Sequence, residues 1–297
     1  MKRIVLAILL VGALALVAFP YEGTIVFQGG HGAKALGMGG AFCAIADDAT
    51  GALWNPAGLA FAEPWIGGAT SNLFGLQEAG FQYLSGGFTF EGYAIGLGWA
   101  NATAGRYNAS LYLGTVGIAI ADFGSVGVNV KYYTETVPEE GGGTSSASGF
   151  GFDIGVLFPI TDEIAIGIVA KDVGGTSTGE GQTIEPMYAA GVGLKLLEGA
   201  VTLAADVDFA GMDFGLAGIK AGLEFVLIEN LAVRAGIVSP TADFTEYYFT
   251  VGAGLAIGDL SIDAAYVLQS EPGESLVLSA TFLLGELFGP AEEQPVE

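Results

Sequence analysis

The sequence predicts an all-β fold: a transmembrane antiparallel β-barrel of about fourteen strands, with an N-terminal plug inside its lumen. The mean hydropathy is +0.56, and only 14% of the 297 residues are charged. The 49 glycines are spread along the chain, so no run of about twenty apolar residues follows the first twenty positions. Beyond Pro64, short segments alternate between apolar and polar residues, which indicates strands. A closed barrel is the strand arrangement that satisfies every backbone amide in lipid.

The first residues have the composition of an export signal. Residues 1–3 are basic after the initial Met, and an uncharged apolar run follows over 4–19. We therefore assign 1–18 to a signal peptide that is cleaved after Ala15 or Ala18. No cysteine directly follows the apolar run, which argues against a lipoprotein anchor. A retained anchor helix is the alternative, although the run is short for a membrane span.

Composition excludes several classes of function. His31 is the only histidine and Cys43 the only cysteine, so the chain has no internal disulfide and no histidine-based metal site. A Ser-His-Asp triad is also disfavoured, and we expect neither an enzyme nor a cofactor. The net charge of −23 argues against nucleic acid as a partner. If the lumen conducts ions, the same charge favours cations.

The remainder of the chain is a regular series of alternating segments. In one of them, Val201, Leu203 and Ala205 share a face, while Thr202 and Asp206 lie on the other. We predict strands at 65–74, 80–90, 92–101, 109–121, 125–135, 148–158, 164–173, 184–196, 200–209, 214–227, 231–239, 243–257, 260–269 and 274–286.

The lengths of the connections alternate as well. The predicted connections after odd strands are mostly longer: 75–79, 102–108, 136–147, 174–183 and 270–273. Those after even strands are short: residue 91, 122–124, 159–163, 197–199 and 228–230. Outer-membrane barrels have short periplasmic turns, longer external loops and an even number of strands, whereas a soluble sandwich shows no such parity. We therefore predict a barrel over 63–288 in the bacterial outer membrane, in contact with its lipid and with a periplasmic N-terminus.

Residues 24–62 show no strand alternation, and we assign them to an N-terminal plug, called the hatch segment below. It begins with a glycine-rich arc over Gly32–Phe42, in which glycine permits close packing and positive φ angles. Asp48 is expected to cap a helical turn over Ala49–Trp54. A second turn is expected to begin at Asn55–Pro56, with Asn as its cap and Pro at its first position.

The hatch segment resembles the N-terminal hatch of the FadL family, outer-membrane transporters of hydrophobic compounds, and of the related PorV/PorQ-like proteins. The shared elements are the Ala-Asp-Asp-Ala run at 46–49 and the Asn-Pro-Ala triplet at 55–57. Segments 159–174 and 222–237 are similar to turn-and-strand segments of the same group. The resemblance implies a fourteen-stranded barrel plugged from the periplasmic side, which agrees with the strand count.

The resemblance also implies that part of the hatch segment holds the plug where its movement opens a path. The alternative is that the same residues only end a helical turn and anchor the plug. The hatch or gating candidates are Asp47, Asp48, Trp54, Asn55, Pro56 and Ala57.

A second set of candidates consists of charged residues on the predicted inward faces of the strands. We expect most of them to form ion pairs across the lumen or to the hatch segment, and so to fix the plug rather than bind substrate. The lumen-facing charges are Lys131, Lys195, Asp206, Asp208, Lys220, Glu224, Arg234 and Asp263.

Two functions are consistent with these features. The first is passive uptake of a hydrophobic small-molecule ligand through the hatch-plugged lumen. The alternative is a PorV/PorQ-like barrel that does not transport and instead docks a secreted or surface protein. The predicted external loops are rich in Gly, Ser, Thr and Glu and contain no amphipathic helix, which departs from the FadL pattern. The acidic tail at 289–297, after Phe288, is predicted to be disordered.

Overall fold

A computed structural model describes residues 27, 30–73, 78–139, 141–179, 182–241, 244–269 and 273–285. The predicted signal peptide at 1–18 and the predicted acidic tail at 289–297 lie outside these residues. Within the described ranges, no helix is both long enough and apolar enough to cross a membrane.

Fourteen strands close into an antiparallel barrel, and two further strands form a separate hairpin. The strands are β1 (Trp65–Asn72), β2 (Ala79–Phe90), β3 (Tyr93–Ala104), β4 (Tyr107–Ile120), β5 (Gly124–Pro138), β6 (Thr144–Pro159), β7 (Ile164–Lys171), β8 (Thr176–Gly179), β9 (Gln182–Ile184), β10 (Met187–Leu196), β11 (Val201–Ala210), β12 (Gly215–Ile228), β13 (Leu231–Ser239), β14 (Tyr248–Ile257), β15 (Leu260–Leu268) and β16 (Ser275–Leu283). β7 pairs directly with β10, because the β8–β9 hairpin between them in sequence is not part of the barrel wall. β16 pairs with β1. The predicted fold class and the count of fourteen barrel strands are confirmed.

The two faces of the wall differ as the alternation predicted. Leu97, Val130 and Ile168 point outward, and Leu97 leaves 73% of its surface exposed. Asn129 and Lys131 alternate with Val130 and are buried in the lumen. Large apolar side chains that are exposed all around a closed barrel are typical of a lipid-facing surface.

The barrel has two distinct ends. At the entry end, where the chain enters β1 at Trp65, the connections are two to four residues long: 91–92, 121–123, 160–163, 197–200, 229–230 and 258–259. At the opposite end, called the hairpin end, they span 73–78, 105–106, 139–143, 172–186, 211–214, 240–247 and 269–274. The predicted parity of the connections therefore holds for most of them.

Two predicted loops are wrong. The loop expected at 102–108 is instead strand, because β3 and β4 pair as far as Ala104 and Tyr107. Only Gly105 and Arg106 remain in the turn, and Gly105 has a φ of 58°, which suits a two-residue hairpin turn. The loop expected at 174–183 contains the β8–β9 hairpin.

The β8–β9 hairpin turns into the lumen. The chain leaves the wall after Lys171, and Asp172 has a φ of 50°. Thr176 and Ile184 of the hairpin are both buried. β6 pairs with β5 as far as Thr144, but it pairs with β7 only from Ile154 to Pro159. The hairpin-end half of β6 therefore lies beside the β8–β9 hairpin and has no wall strand on that side.

The hatch segment crosses the lumen below the hairpin. Its helix α1 (Ala33–Gly37) contacts β13 to β16, and its 3-10 helix at Pro56–Phe61 contacts β3 to β6. The described residues include the 3-10 helices Gly51–Leu53, Pro56–Phe61 and Ala121–Phe123.

The helical turn expected over Ala49–Trp54 is shorter than predicted, and Asp48 is not its cap. Thr50 occupies the cap position of a helix that covers only Gly51–Leu53. Asp48 Oδ1 accepts hydrogen bonds from the Thr50 amide at 2.8 Å and from the Thr50 hydroxyl at 2.7 Å. A short carboxylate that bonds two residues onward stabilises a turn rather than a helix, which explains the difference.

Inward-facing glycines let the backbone of the hatch segment lie directly against the wall. We call five of them the glycine collar: Gly127, Gly155, Gly167, Gly222 and Gly236. A Cβ atom on any of them would collide with Pro56, Asn55, Cys43, Met38 or Gly39, respectively. In these strands glycine is therefore required by the close approach of a second backbone, although it weakens a strand in isolation.

Gly155→Val is expected to displace the hatch segment while the barrel remains folded. The new side chain would overlap the Asn55 amide, and overpacking of this kind costs about 1–3 kcal/mol. Conductance in planar bilayers should rise. Gly114→Val is the matched control, because a Cβ there would meet nothing within 4 Å. Equal conductance of the two variants would contradict the contact.

Candidate functional site

Asn55 joins two parts of the hatch segment to the barrel wall. Its side-chain amide donates to the Cys43 carbonyl at 2.8 Å and to the Val156 carbonyl of β6 at 3.1 Å. Its side-chain oxygen accepts from the Ala57 amide at 3.1 Å, as expected for the cap of the second 3-10 helix. Asn55 is fully buried, so each of these bonds replaces one to water.

The neighbouring triplet residues fix the same helix to β5. Pro56 occupies the first helical position, where its missing N–H leaves no donor unpaired. The Ala57 carbonyl accepts a hydrogen bond from the Ser125 hydroxyl at 2.7 Å. Pro56 and Ala57 are both buried, with Pro56 against Gly127 of the glycine collar.

Trp54 is buried in the lumen. Its indole N–H donates to the His31 carbonyl at 2.9 Å. The Nζ atoms of Lys171 and Lys220 lie 5.5 Å and 5.7 Å from its ring centroid, within range for cation–π attraction. Trp54 therefore fixes the glycine-rich arc to the two lysines of the wall.

The two aspartates of the Ala-Asp-Asp-Ala run have different surroundings. Asp47 is exposed, and its carboxylate forms an ion pair with the Lys34 ammonium of α1 at 2.8 Å. Asp48 is only partly exposed; burial, and then the adjacent charge of Asp47, raise its pKa to about 6. The Asp47 carboxylate therefore meets solvent, whereas the Asp48 carboxylate lies within its turn to Thr50.

Two groups of lumen-facing charges are ion-paired between strands. Arg234 of β13 donates to Glu224 of β12 and to Asp263 of β15, each at 2.6 Å. Lys220 of β12 contacts Asp208 of β11 at 2.5 Å. These pairs connect nearby strands of the wall and stiffen it.

Asp206 of β11 contacts the hatch segment directly. Its Oδ2 atom accepts the backbone amides of Phe42 and Cys43 at 2.9 Å and 3.0 Å. A carboxylate that accepts two backbone donors holds the turn between the glycine-rich arc and the next part of the hatch segment.

Lys195 differs from the other predicted lumen-facing charges. Its position in β10 has inward parity, since Gly191 and Gly193 on the same face contact the hatch segment. However, Lys195 lies one residue from the end of the strand and is exposed to solvent. Its role in fixing the plug is therefore not supported by its position.

Two strongly connected charges of the lumen, Asp153 and Asp172, are not among the candidates predicted from the sequence. Lys131, which is one of those candidates, lies 2.6 Å from Asp153 and 2.8 Å from Asp172. Asn129 donates to Asp153 at 2.8 Å and to the Ala52 carbonyl at 2.8 Å. Inward parity in β6 was the signal that could have identified Asp153, whereas Asp172 lies outside every barrel strand.

An apolar layer separates the hatch segment from the hairpin end. Phe81, Leu111, Tyr133 and Ile184 are buried there together with Phe27. The Phe27 ring centroid lies 6.2 Å from that of Phe81 and 6.0 Å from that of Tyr133. These side chains give the lumen an apolar lining on this side.

Two cavities lie beside the hatch segment. One cavity of about 160 Å³ opens at the entry end beside Lys34, Glu224 and Arg234. Another of about 10 Å³ lies between Trp54 and β10. In the described residues, no group of three His, Cys, Asp or Glu side chains could hold a metal ion. Passage of a solute through either cavity requires displacement of protein atoms.

Comparisons with known proteins identify the fold. No protein-family model and no curated protein sequence matches the chain. The CymD monoaromatic hydrocarbon channel matches with a TM-score of 0.68 and 15% identity, over 86% of this chain and 98% of that one. The toluene transporter TbuX of Ralstonia pickettii matches with a TM-score of 0.67 and 13% identity, over 88% of this chain and 100% of TbuX. A FadL homologue of Pseudomonas aeruginosa matches with a TM-score of 0.60 and 14% identity, over 90% of this chain and 100% of that homologue.

At these identities the matches establish the fold. The chain has the fourteen-stranded barrel fold of FadL-family outer-membrane transporters, as the resemblance of its hatch segment predicted. The matched proteins are described as channels, transporters or their homologues, not as enzymes.

Asn55→Ala is expected to loosen the hatch segment. The change leaves buried carbonyls of Cys43 and Val156 without this donor, at a cost of about 2–3 kcal/mol in the free energy of hatch seating. Trypsin cleavage after Lys34 in the folded protein should accelerate more than about tenfold. Asn72→Ala, at an exposed position at the end of β1, is the control and should be cleaved at the wild-type rate.

Seating of the hatch segment is expected to strengthen on acidification. A folded-state pKa of about 6 lies above the ordinary value for Asp of about 4, so the stabilisation by protonated Asp48 is complete below pH 4 and is lost as pH rises through 6. Hydrogen exchange of hatch amides, corrected for the intrinsic rate, should be slower at pH 5 than at pH 8. Asp48→Asn should reduce the difference, and a difference of wild-type size would contradict the assignment.

Proposed function

We propose that this protein is an outer-membrane barrel for the passive uptake of hydrophobic small molecules through a lumen plugged by its hatch segment. The matched proteins support this function, since two of them are described as a monoaromatic hydrocarbon channel and a toluene transporter. The apolar outer face of the barrel supports a location in lipid.

The observation that carries the proposal is the way in which the lumen is closed. The described part of the hatch segment is held by side-chain hydrogen bonds, cation–π contacts and packing against glycine, and it adds no strand to the barrel. It can therefore leave its seat without breaking the strand ladder. In this function, Asn55, Pro56 and Ala57 hold the hatch closed, with Trp54 as its central contact.

The short connections support an orientation for the barrel. Periplasmic turns of outer-membrane barrels are short, and here the entry end carries only short connections. We therefore place the entry end, where the hatch segment leads into β1, on the periplasmic side. The β8–β9 hairpin then lies on the external side.

The charge at the hairpin end favours uncharged substrates. Arg106 is a basic residue there, and its guanidinium is bound to the carbonyls of Gly142 and Gly143. Apart from the buried Asp172, the described carboxylates in the connections of the same end are Glu78, Glu139, Glu185, Asp213, Glu246 and Glu274. A negative mouth repels organic anions and leaves neutral hydrocarbons unaffected. The alternative of a barrel that docks secreted protein is not supported by the comparisons.

Proteoliposomes that contain the protein are expected to take up toluene faster than protein-free liposomes, and to take up benzoate no faster. The neutral ring gains from the apolar lumen, whereas the carboxylate meets the acidic mouth. Uptake is measured with radiolabelled solutes at low ionic strength, where surface charge is least screened. Equal acceleration of both solutes would contradict the proposed selectivity, and no acceleration of toluene would contradict the function.

Deletion of 24–62 should leave a folded barrel with raised conductance in planar bilayers. Folding of the variant is checked by the heat-dependent shift of its band in gel electrophoresis. Unchanged conductance of the folded variant would show that these residues do not plug the lumen.

A further inference from the structure

We propose that the β8–β9 hairpin holds the hatch segment in its seat through a buried ion cluster, so that displacement of the hairpin releases the hatch. The ion cluster consists of Lys131, Asp153 and Asp172, with Asn129 and Tyr133 bound to it. The inference rests on the proposed function, since it describes how the passage is opened.

Asp172 attaches the hairpin to this cluster. It is fully buried at the point where the chain leaves β7. The Thr176 hydroxyl of the hairpin donates to Asp172 Oδ1 at 2.9 Å, and the Tyr133 hydroxyl of β5 donates to the same atom at 3.1 Å. The Asp172 amide donates to Asp153 Oδ1 at 3.0 Å. Both the backbone and the side chain of Asp172 therefore hold the foot of the hairpin against β5 and β6.

One ammonium group serves two carboxylates in the cluster. Lys131 lies within 2.8 Å of both Asp153 and Asp172, and all three side chains are buried. If the hairpin moves, Asp172 leaves Lys131 and the remaining pair is exposed to water. Because a buried charge is costly without its partner, the cluster has a closed arrangement with the hairpin in place and a hydrated arrangement without it.

Two donors connect this cluster to the hatch segment. The Asn129 amide binds Asp153 and the Ala52 carbonyl with the same nitrogen. Lys171, the chain neighbour of Asp172, donates to the Leu53 carbonyl at 2.7 Å. Movement of Asp172 displaces Lys171 with it and withdraws the Asp172 amide from Asp153, the partner of Asn129, so both bonds to the hatch segment weaken together.

Cys43 is a natural reporter of hatch release. It is the only cysteine of the chain, and it is 2% exposed on the far side of the hatch segment, beside Ala189 of β10. Burial raises the pKa of its thiol above the ordinary value, so the seated hatch suppresses the reactive thiolate. Labelling of Cys43 by a water-soluble maleimide therefore measures how often the hatch segment opens.

The decisive variant is Asp172→Asn in the full-length protein in detergent. It removes the charge that pairs with Lys131 but keeps an oxygen for Thr176 and Tyr133. Labelling of Cys43 should accelerate at least about tenfold, the order expected when a charge-assisted bond is lost. Ser177→Ala, at an exposed position of the same hairpin, should label at the wild-type rate. The barrel must remain folded by its heat-dependent gel shift.

Labelling of folded Asp172→Asn at the wild-type rate would overturn the proposal. If that variant does not fold, Thr176→Val, which removes one bond to Asp172, is expected to give a smaller acceleration, and a wild-type rate there has the same meaning. Toluene uptake by the same variants separates the two proposals. Accelerated labelling without toluene uptake rejects the proposed function and retains the link between hairpin and hatch, whereas uptake with unchanged labelling rejects the link alone.

Discussion

The contact between the hatch backbone and the barrel wall is the constraint on which the rest of the structure depends. A wall strand with a side chain at Gly155 or Gly222 would exclude the hatch segment, because the nearest hatch atoms occupy the space of a Cβ. Close approach also brings the Ala52 carbonyl of the hatch segment within reach of the Asn129 amide of the wall, and the Val156 carbonyl of the wall within reach of the Asn55 amide of the hatch segment. The glycine collar therefore allows the hatch segment to fill the lumen. It also determines which polar side chains are needed to form hydrogen bonds with the hatch backbone.

The buried charges follow from the same constraint. A segment without sheet partners has many backbone amides and carbonyls in need of hydrogen bonds, and water has little room around it. Asp206 accepts two of its amides, and Lys171 binds one of its carbonyls. Each charge brought inside needs a counter-charge, which accounts for the pairing of Lys220 with Asp208. The lumen is thus polar where it meets the hatch backbone and the foot of the hairpin, and apolar around Phe27, Phe81 and Ile184.

Much of the barrel could be predicted from the sequence, because strand alternation is local. The strand that contains Val201 to Asp208 could be predicted from the alternation of neighbouring residues alone. The turn at Gly105 was missed because its flanking residues are small and polar enough to resemble a loop. Asp172 could not be identified at all, since its importance depends on Lys131 and Asp153, which are distant in sequence. Lys195 was placed by parity alone, and parity does not reveal how close a residue lies to the barrel mouth.

Closure of the barrel between β1 and β16 has a consequence for biogenesis. Trp65 and Leu283 are register partners, so the seam joins the first strand after the hatch segment to the last described strand. Loop closure over such a sequence distance is among the slowest steps of folding, and both seam edges stay unpaired until it occurs. A chain interrupted by a premature stop before β16 would carry two open edges that lipid cannot satisfy. A barrel that lacks β16 therefore cannot close, and lipid cannot accommodate its open edges.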